Sequence, residues 1–199
     1  MRWGLVPSWS KDAKSGPPLI NARSETARQK PAFRTRTARG RCLMPADGFY
    51  EWKTAGTAKQ PFLFLYPGQA PFAFAALWDT WRKPNDEPLE SCCILTTSAQ
   101  GWISDFHDRM PVILPESEWP AWLEAGEIDE AHWNRLCSAF PAQSMSPRKV
   151  STRINRVSED SPACTEELTE PAADRKTPLA PRPSKKPIDR PGFHQGELF

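Results

Sequence analysis

Between Arg41 and Thr97 the chain carries five short apolar runs, each closed by turn residues, and this succession restricts it to a strand-rich fold. Arg41 to Met44 opens the series. Gly48 to Lys53 alternates aromatic with polar groups. Pro61 to Tyr66 is apolar throughout, the pattern of a strand covered on both faces. Phe72 to Trp78 and Cys92 to Thr97 complete it across a polar loop. Further short strands are predicted at Arg2 to Val6, Met110 to Leu114 and Lys149 to Ser151, with short helices at Phe33 to Arg39 and Gln100 to Phe106. Trp119, Trp122 and Leu123, then Trp133, Leu136, Cys137 and Phe140, form apolar stripes at helical spacing and read as core. The fold class is α+β: strands dominate and the helices are short and interspersed.

The pattern stops near residue 158. Residues 165–199 hold six prolines, few aliphatic side chains and six charges of each sign. Such a segment cannot bury enough apolar surface to offset its ordering entropy. The expected organisation is one domain over 1–157 and a disordered, proline-rich tail over 158–199. No apolar run approaches the length of a membrane span. Five cysteines without a CxxC pair argue for a reducing, cytoplasmic setting and against a zinc site or disulfide framework. The net charge is +2, yet residues 1–41 carry ten basic against two acidic side chains. A basic end on a near-neutral chain fits a local anionic partner such as nucleic acid, and also fits a solvated basic face.

Three places can carry chemistry. Asn21, Arg23 and Glu25 alternate, so an extended backbone would set an amide, a guanidinium and a carboxylate on one face. The same residues also suit the first turn of a helix. Glu51 lies among aromatic neighbours, where desolvation would raise its pKa and suit it to proton transfer, unless it faces outward. His107, between Phe106 and Asp108, is the histidine best placed for a proton-moving role; His132 lies on a helix face and His194 in the tail. No nucleophile elbow, phosphate-binding glycine loop or HExxH motif accompanies them.

Four ordered motifs then make a specific match: Arg2-Trp3-Gly4-Leu5-Val6-Pro7-Ser8-Trp9, Asn21-Ala22-Arg23-Ser24-Glu25-Thr26, Arg41 through Trp52, and His107-Asp108-Arg109-Met110-Pro111. The chain resembles the SOS response-associated peptidase, or abasic-site processing, family over about residues 2 to 157. The resemblance implies a compact, strongly twisted, β-rich domain. It implies a basic cleft for single-stranded DNA and covalent crosslinking to abasic sites. In that family an N-terminal cysteine captures the sugar aldehyde through its amine and thiol as a thiazolidine. By resemblance, His107 assists ring opening, Glu51 shuttles protons and Asn21 orients the N-terminal group. Arg23 and Arg109 hold phosphates and Trp9 lies along the DNA. No metal or cofactor is expected. Family members begin Met-Cys-Gly-Arg some tens of residues before the Arg-Trp-Gly-Leu motif, so the expectation here is a start placed late, with the full-length form crosslinking. Two rival expectations are a non-enzymatic single-strand binder without the nucleophile, and a cysteine-type peptidase.

The last residues resemble the short peptide that docks repair proteins on the bacterial sliding clamp. Gln195, Leu198 and Phe199 are the matching positions, at the end of a proline-rich tether.

Overall fold

The computed structural model describes residues 1–14, 16–56, 58–83, 87–138 and 145–168. Its frame is the antiparallel pair β6 (Phe72–Trp81) and β7 (Leu89–Ser98), joined in register from Ala76↔Ile94 to Trp81↔Leu89. Strand β3 (Arg41–Ala46) pairs antiparallel with the other edge of β6. Two short strands run parallel to β7, end to end: β1 (Arg2–Trp3) against Ser91 and Cys92, then β2 (Asn21–Arg23) against Ile94 to Thr96. Beyond Ile94 the β6–β7 pair opens. The gap is filled by β8 (Arg109–Pro111) on β7 and β9 (Ile113–Leu114) on β6. Between them Val112 donates its N–H to Leu95 and accepts one from Ala75, stitching both sides. A second, antiparallel sheet has the order β10 (Ser146–Lys149), β5 (Ala58–Leu65), β4 (Phe49–Ala55).

Period-two alternation gives β6 and β7 two different faces. Ala75, Leu77, Cys93 and Leu95 face an aliphatic cluster completed by Trp122 of α3 (Trp119–Leu123) and by Trp133 and Leu136 of α4 (Glu130–Ser138). Phe72, Phe74 and Ile94 face a cluster rich in rings that reaches Phe64 of the second sheet. Arg41 enters the first region. Its guanidinium donates to the carbonyls of Thr37, Trp122, Glu124 and Gly126, and lies over the Trp122 ring. It thereby takes up carbonyls that the end of α3 leaves without helical partners. Two glycines permit close approach. A Cβ on Gly40 would lie 2.5 Å from the Trp78 carbonyl, and one on Gly48 would lie 2.8 Å from a Leu63 methyl. Gly48 is where the chain crosses from the first sheet to the second.

The five strands expected between Arg41 and Thr97 are all present. Seven local expectations change. The strand expected at Arg2 to Val6 is only Arg2–Trp3, the one expected at Met110 to Leu114 is split at Val112 between β8 and β9, and the one expected at Lys149 to Ser151 is Ser146–Lys149. Helix α2 is confined to Arg36–Arg39, because Phe33 to Thr35 form a turn. Gln100 to Phe106 folds as one 3-10 stretch, Gly101–Asp105. Leu123 is 51% exposed and is not core, whereas Trp122 is fully buried. Packing also continues past residue 157: Cys164 is buried, Val150 bridges Glu167, and the Leu168 N–H reaches the Lys149 carbonyl. The described fold thus runs to residue 168, held by backbone pairing that apolar patterning does not register.

Candidate functional site

At the open end of the β6–β7 pair lies a cleft of about 470 Å³. Asn21, Glu51, His107 and Arg109 all line it, drawn from three separate segments. Trp3, Met44 and Phe49 supply apolar wall.

Asn21 is placed by the parallel pairing of β2 with Ile94. Ala22 is buried while Asn21 and Arg23 are exposed, as strand alternation requires. At Ser24 the backbone turns into helix α1 (Ser24–Ala27), so this stretch is strand and then helix; Glu25 falls in the first helical turn. Neither Ser24 nor Asn21 caps it: the cap position is Arg23.

Glu51 is placed by alternation along β4. Tyr50 and Trp52 point toward the C-terminal segment, donating to the Cys164 carbonyl and to Asn155 Oδ1. Phe49 stacks on Phe64 and Lys53 lies over the Phe106 ring, so the face carrying Phe49, Glu51 and Lys53 meets the Phe106–His107 turn. Burial pushes the Glu51 carboxyl above the usual carboxylate range. The nearby His107 and the Trp52 backbone N–H pull it partly back, and Asp108 pushes it up again.

Phe106 anchors the histidine. Its ring meets Phe62 at 4.9 Å and Phe64 at 5.2 Å, both edge-on, and lies 5.9 Å from Trp102. His107 Nδ1 receives the Arg109 backbone N–H at 3.0 Å, with the Arg109 carbonyl at 3.1 Å and an Asp108 carboxylate oxygen at 3.2 Å. Arg109 itself is heavily committed. It forms a two-pronged pair with Glu25 at 2.7 and 2.9 Å, and donates to the Thr96 carbonyl at 2.6 Å and to Thr96 Oγ1 at 3.2 Å. The pair holds the Glu25 carboxyl below its ordinary range.

Trp9, 65% exposed, does not line this cleft. It borders a neighbouring hollow of about 440 Å³ with Arg2, Lys14 and Leu19. Arg23 is exposed but is not among the lining residues. Trp3 lines the cleft and was not singled out by sequence; its alternation with Arg2 and Gly4, which border the neighbouring hollow, is the signal that marks it. Several cations of the basic N-terminal segment are spent internally: Arg28 on the Ile128 carbonyl, Arg36 on Asp79 and Arg41 on four carbonyls. Cys42 and Cys93 are pushed up to about 12 by burial, so neither is a thiolate nucleophile near neutral pH. Among the described residues no group of three or more His, Cys, Asp or Glu side chains is placed to hold a metal ion, and no helix is long and apolar enough to cross a membrane. Gln195, Leu198 and Phe199 lie outside the described residues.

The family model described as SOS response associated peptidase (SRAP) matches residues 1–157, and the chain belongs to this family. It is 40% identical over 167 residues to the abasic site processing protein YoqW of Bacillus subtilis, covering 83% of this chain and 75% of that protein. It is 31% identical over 212 residues to the abasic site processing protein HMCES of Xenopus tropicalis, covering 95% of this chain and 62% of that one. Among solved structures, a protein from Bacteroides thetaiotaomicron superposes with a TM-score of 0.75 at 26% identity, covering 83% of this chain and 75% of that one.

Proposed function

We propose that this chain processes abasic sites in single-stranded DNA and that the cleft of Asn21, Glu51 and His107 is where the open-chain sugar aldehyde is handled. The observation that carries this reading is the convergence of an amide, a partly desolvated carboxyl and an imidazole in one cleft. The names of the similar proteins agree with it.

Each group has a chemical role. His107 passes a proton during opening of the sugar ring to the aldehyde. An amine then adds to the carbonyl carbon, giving a carbinolamine. Glu51, whose carboxyl burial holds above the usual carboxylate range, donates the proton with which the hydroxyl leaves as water, and an imine remains. Thiol addition to the imine carbon closes a thiazolidine. The Asn21 carboxamide orients the amine. An N-terminal cysteine would supply both amine and thiol. Arg23 meets a phosphate, a phosphate reaching Arg109 shares it with Glu25, and Trp9 supports a neighbouring base. A clamp-docking role for Gln195, Leu198 and Phe199 is part of the same proposal; deleting Leu198 and Phe199 would abolish binding to the clamp.

The test is a denaturing gel of protein incubated with a single strand carrying one abasic site. The expected result is a denaturant-resistant band once a Cys-starting upstream segment is present, lost in Glu51→Gln and His107→Gln. A band from the present chain alone would assign capture to another amine. No band in either case, with no preference for an abasic over an intact strand, would sink the proposal.

A further inference from the structure

The mechanism uses Asn21, Glu51 and His107 and leaves Glu25 without a role. Yet Glu25 makes the best-formed ion pair of the region. Both its oxygens meet the two terminal nitrogens of Arg109, and those nitrogens also reach the Thr96 carbonyl, Thr96 Oγ1 and Ser98 Oγ. The two-pronged form fixes the guanidinium plane as well as its distance. It ties α1 and β7 to the first residue of β8. Arg109 is 17% exposed in its side chain, against 45% for Glu25, so the arginine is held from the solvent side by the carboxylate.

The backbone of this same arginine faces the imidazole. A backbone N–H directed at Nδ1 needs a lone pair there, which puts the proton of the neutral ring on Nε2. Two acceptors compete for the opposite assignment: the Asp108 carboxylate and the Arg109 carbonyl, both within 3.2 Å of Nδ1 and each favouring a proton on it. The tautomer of His107 therefore turns on where the Arg109 N–H points. The Arg109 backbone is set by its pairing with Ser98 and, through its side chain, by Glu25.

We propose that Glu25 is a positioning residue: by clamping Arg109 it holds the Arg109 N–H on Nδ1 and so keeps neutral His107 as a donor from Nε2. The role rests on the reading of His107 given above, but its test needs no DNA.

The experiment is long-range proton–nitrogen correlation NMR of the imidazoles in the full chain, at an alkaline pH where the rings are neutral. The His107 signals are identified by their loss in His107→Gln, and His132 and His194 serve as internal controls. The wild type is expected to show the wide nitrogen shift separation of a single Nε2–H tautomer. In Glu25→Ala the two His107 nitrogens are expected to converge in shift, as exchange between tautomers demands. Glu25→Gln, which keeps one oxygen for the guanidinium but loses the charge and the second prong, is expected to converge part-way. An unchanged His107 pattern in Glu25→Ala overturns the proposal, as does an Nδ1–H tautomer in the wild type. Should Glu25→Ala lose its fold, Glu25→Gln decides alone: convergence there larger than at His132 supports the role, and a wild-type pattern refutes it. Abasic-over-intact strand preference, measured separately on the wild type, tests the functional reading without touching this one.

Discussion

The two faces of the β6–β7 pair are built from different materials. The face under α3 and α4 is filled by alanine, leucine, cysteine and two tryptophans, and its buried cation, Arg41, bonds only to neutral main-chain carbonyls. The face toward the second sheet is filled by aromatic rings, and the charged groups beside it, Glu51, His107, Arg109 and Glu25, are set against one another. Small aliphatic side chains close-pack until no space remains. Rings arranged edge-on and stacked form a firm wall that can stop at an open boundary, and here that boundary is the cleft. One face supplies stability; the other supplies a place where titratable groups are held part-way out of water.

The largest expected effect lies on the closed face. Arg41→Met removes the donor from four carbonyls and is expected to cost about 3–5 kcal/mol, since buried acceptors lose their partner. Denaturant titration measures this. Affinity for an abasic strand should fall only through loss of folded protein. A variant that stays fully stable would show that this face is less closed than its contacts indicate.

Next comes the open face. Phe106→Ala is expected to cost about 2–3 kcal/mol, because the ring is only partly buried. Strand affinity, corrected for the folded fraction, should fall further still, because Phe106 anchors His107. Equal losses in stability and corrected affinity for Phe106→Ala and Arg41→Met would erase the distinction between the faces.

The smallest effect concerns Glu51. Its carboxyl is raised in the folded protein, so its contribution to stability is fully present below the unfolded carboxylate range and is lost as pH rises through the folded value. Glu51→Gln carries no such loss. The melting temperatures of the two should coincide near about pH 4 and diverge at about pH 8 with the glutamine variant higher. A wild type that is the more stable at alkaline pH would mean Glu51 is better paired than its surroundings suggest.

Sequence made some of this architecture legible and hid the rest for identifiable reasons. The five strands from Arg41 to Ser98 announce themselves because each run is apolar or, at Gly48 to Lys53, alternates aromatic with polar groups, and each ends in turn residues. Asn21, Glu51 and His107 were legible as an ordered set, and the fold brings them to one cleft. What escaped was the partner of each charge. Arg36 and Arg41 counted toward a basic surface, yet one is neutralised by Asp79 and the other satisfied by carbonyls some 80 residues away. Arg109 was a phosphate ligand by resemblance, and nothing in its sequence neighbourhood pointed to its pairing with Glu25. Charge is local in sequence, while pairing is decided by the fold. Leu123 failed for a simpler reason: its neighbour Trp122 already fills the core at that turn of helix.

The stitch at Val112 has a kinetic meaning. Its N–H and carbonyl bond to Leu95 and Ala75, residues of two different strands, so freeing this segment breaks both sides of the sheet together. Amide protons there should exchange with solvent only in openings close to complete unfolding. The His107 amide, held by one 3.3 Å bond to Ile103 at the end of a short 3-10 turn, belongs to a far shallower opening. A slow-exchanging rail therefore ends two residues after a fast-exchanging histidine. Local opening at the histidine leaves the frame beside it shut.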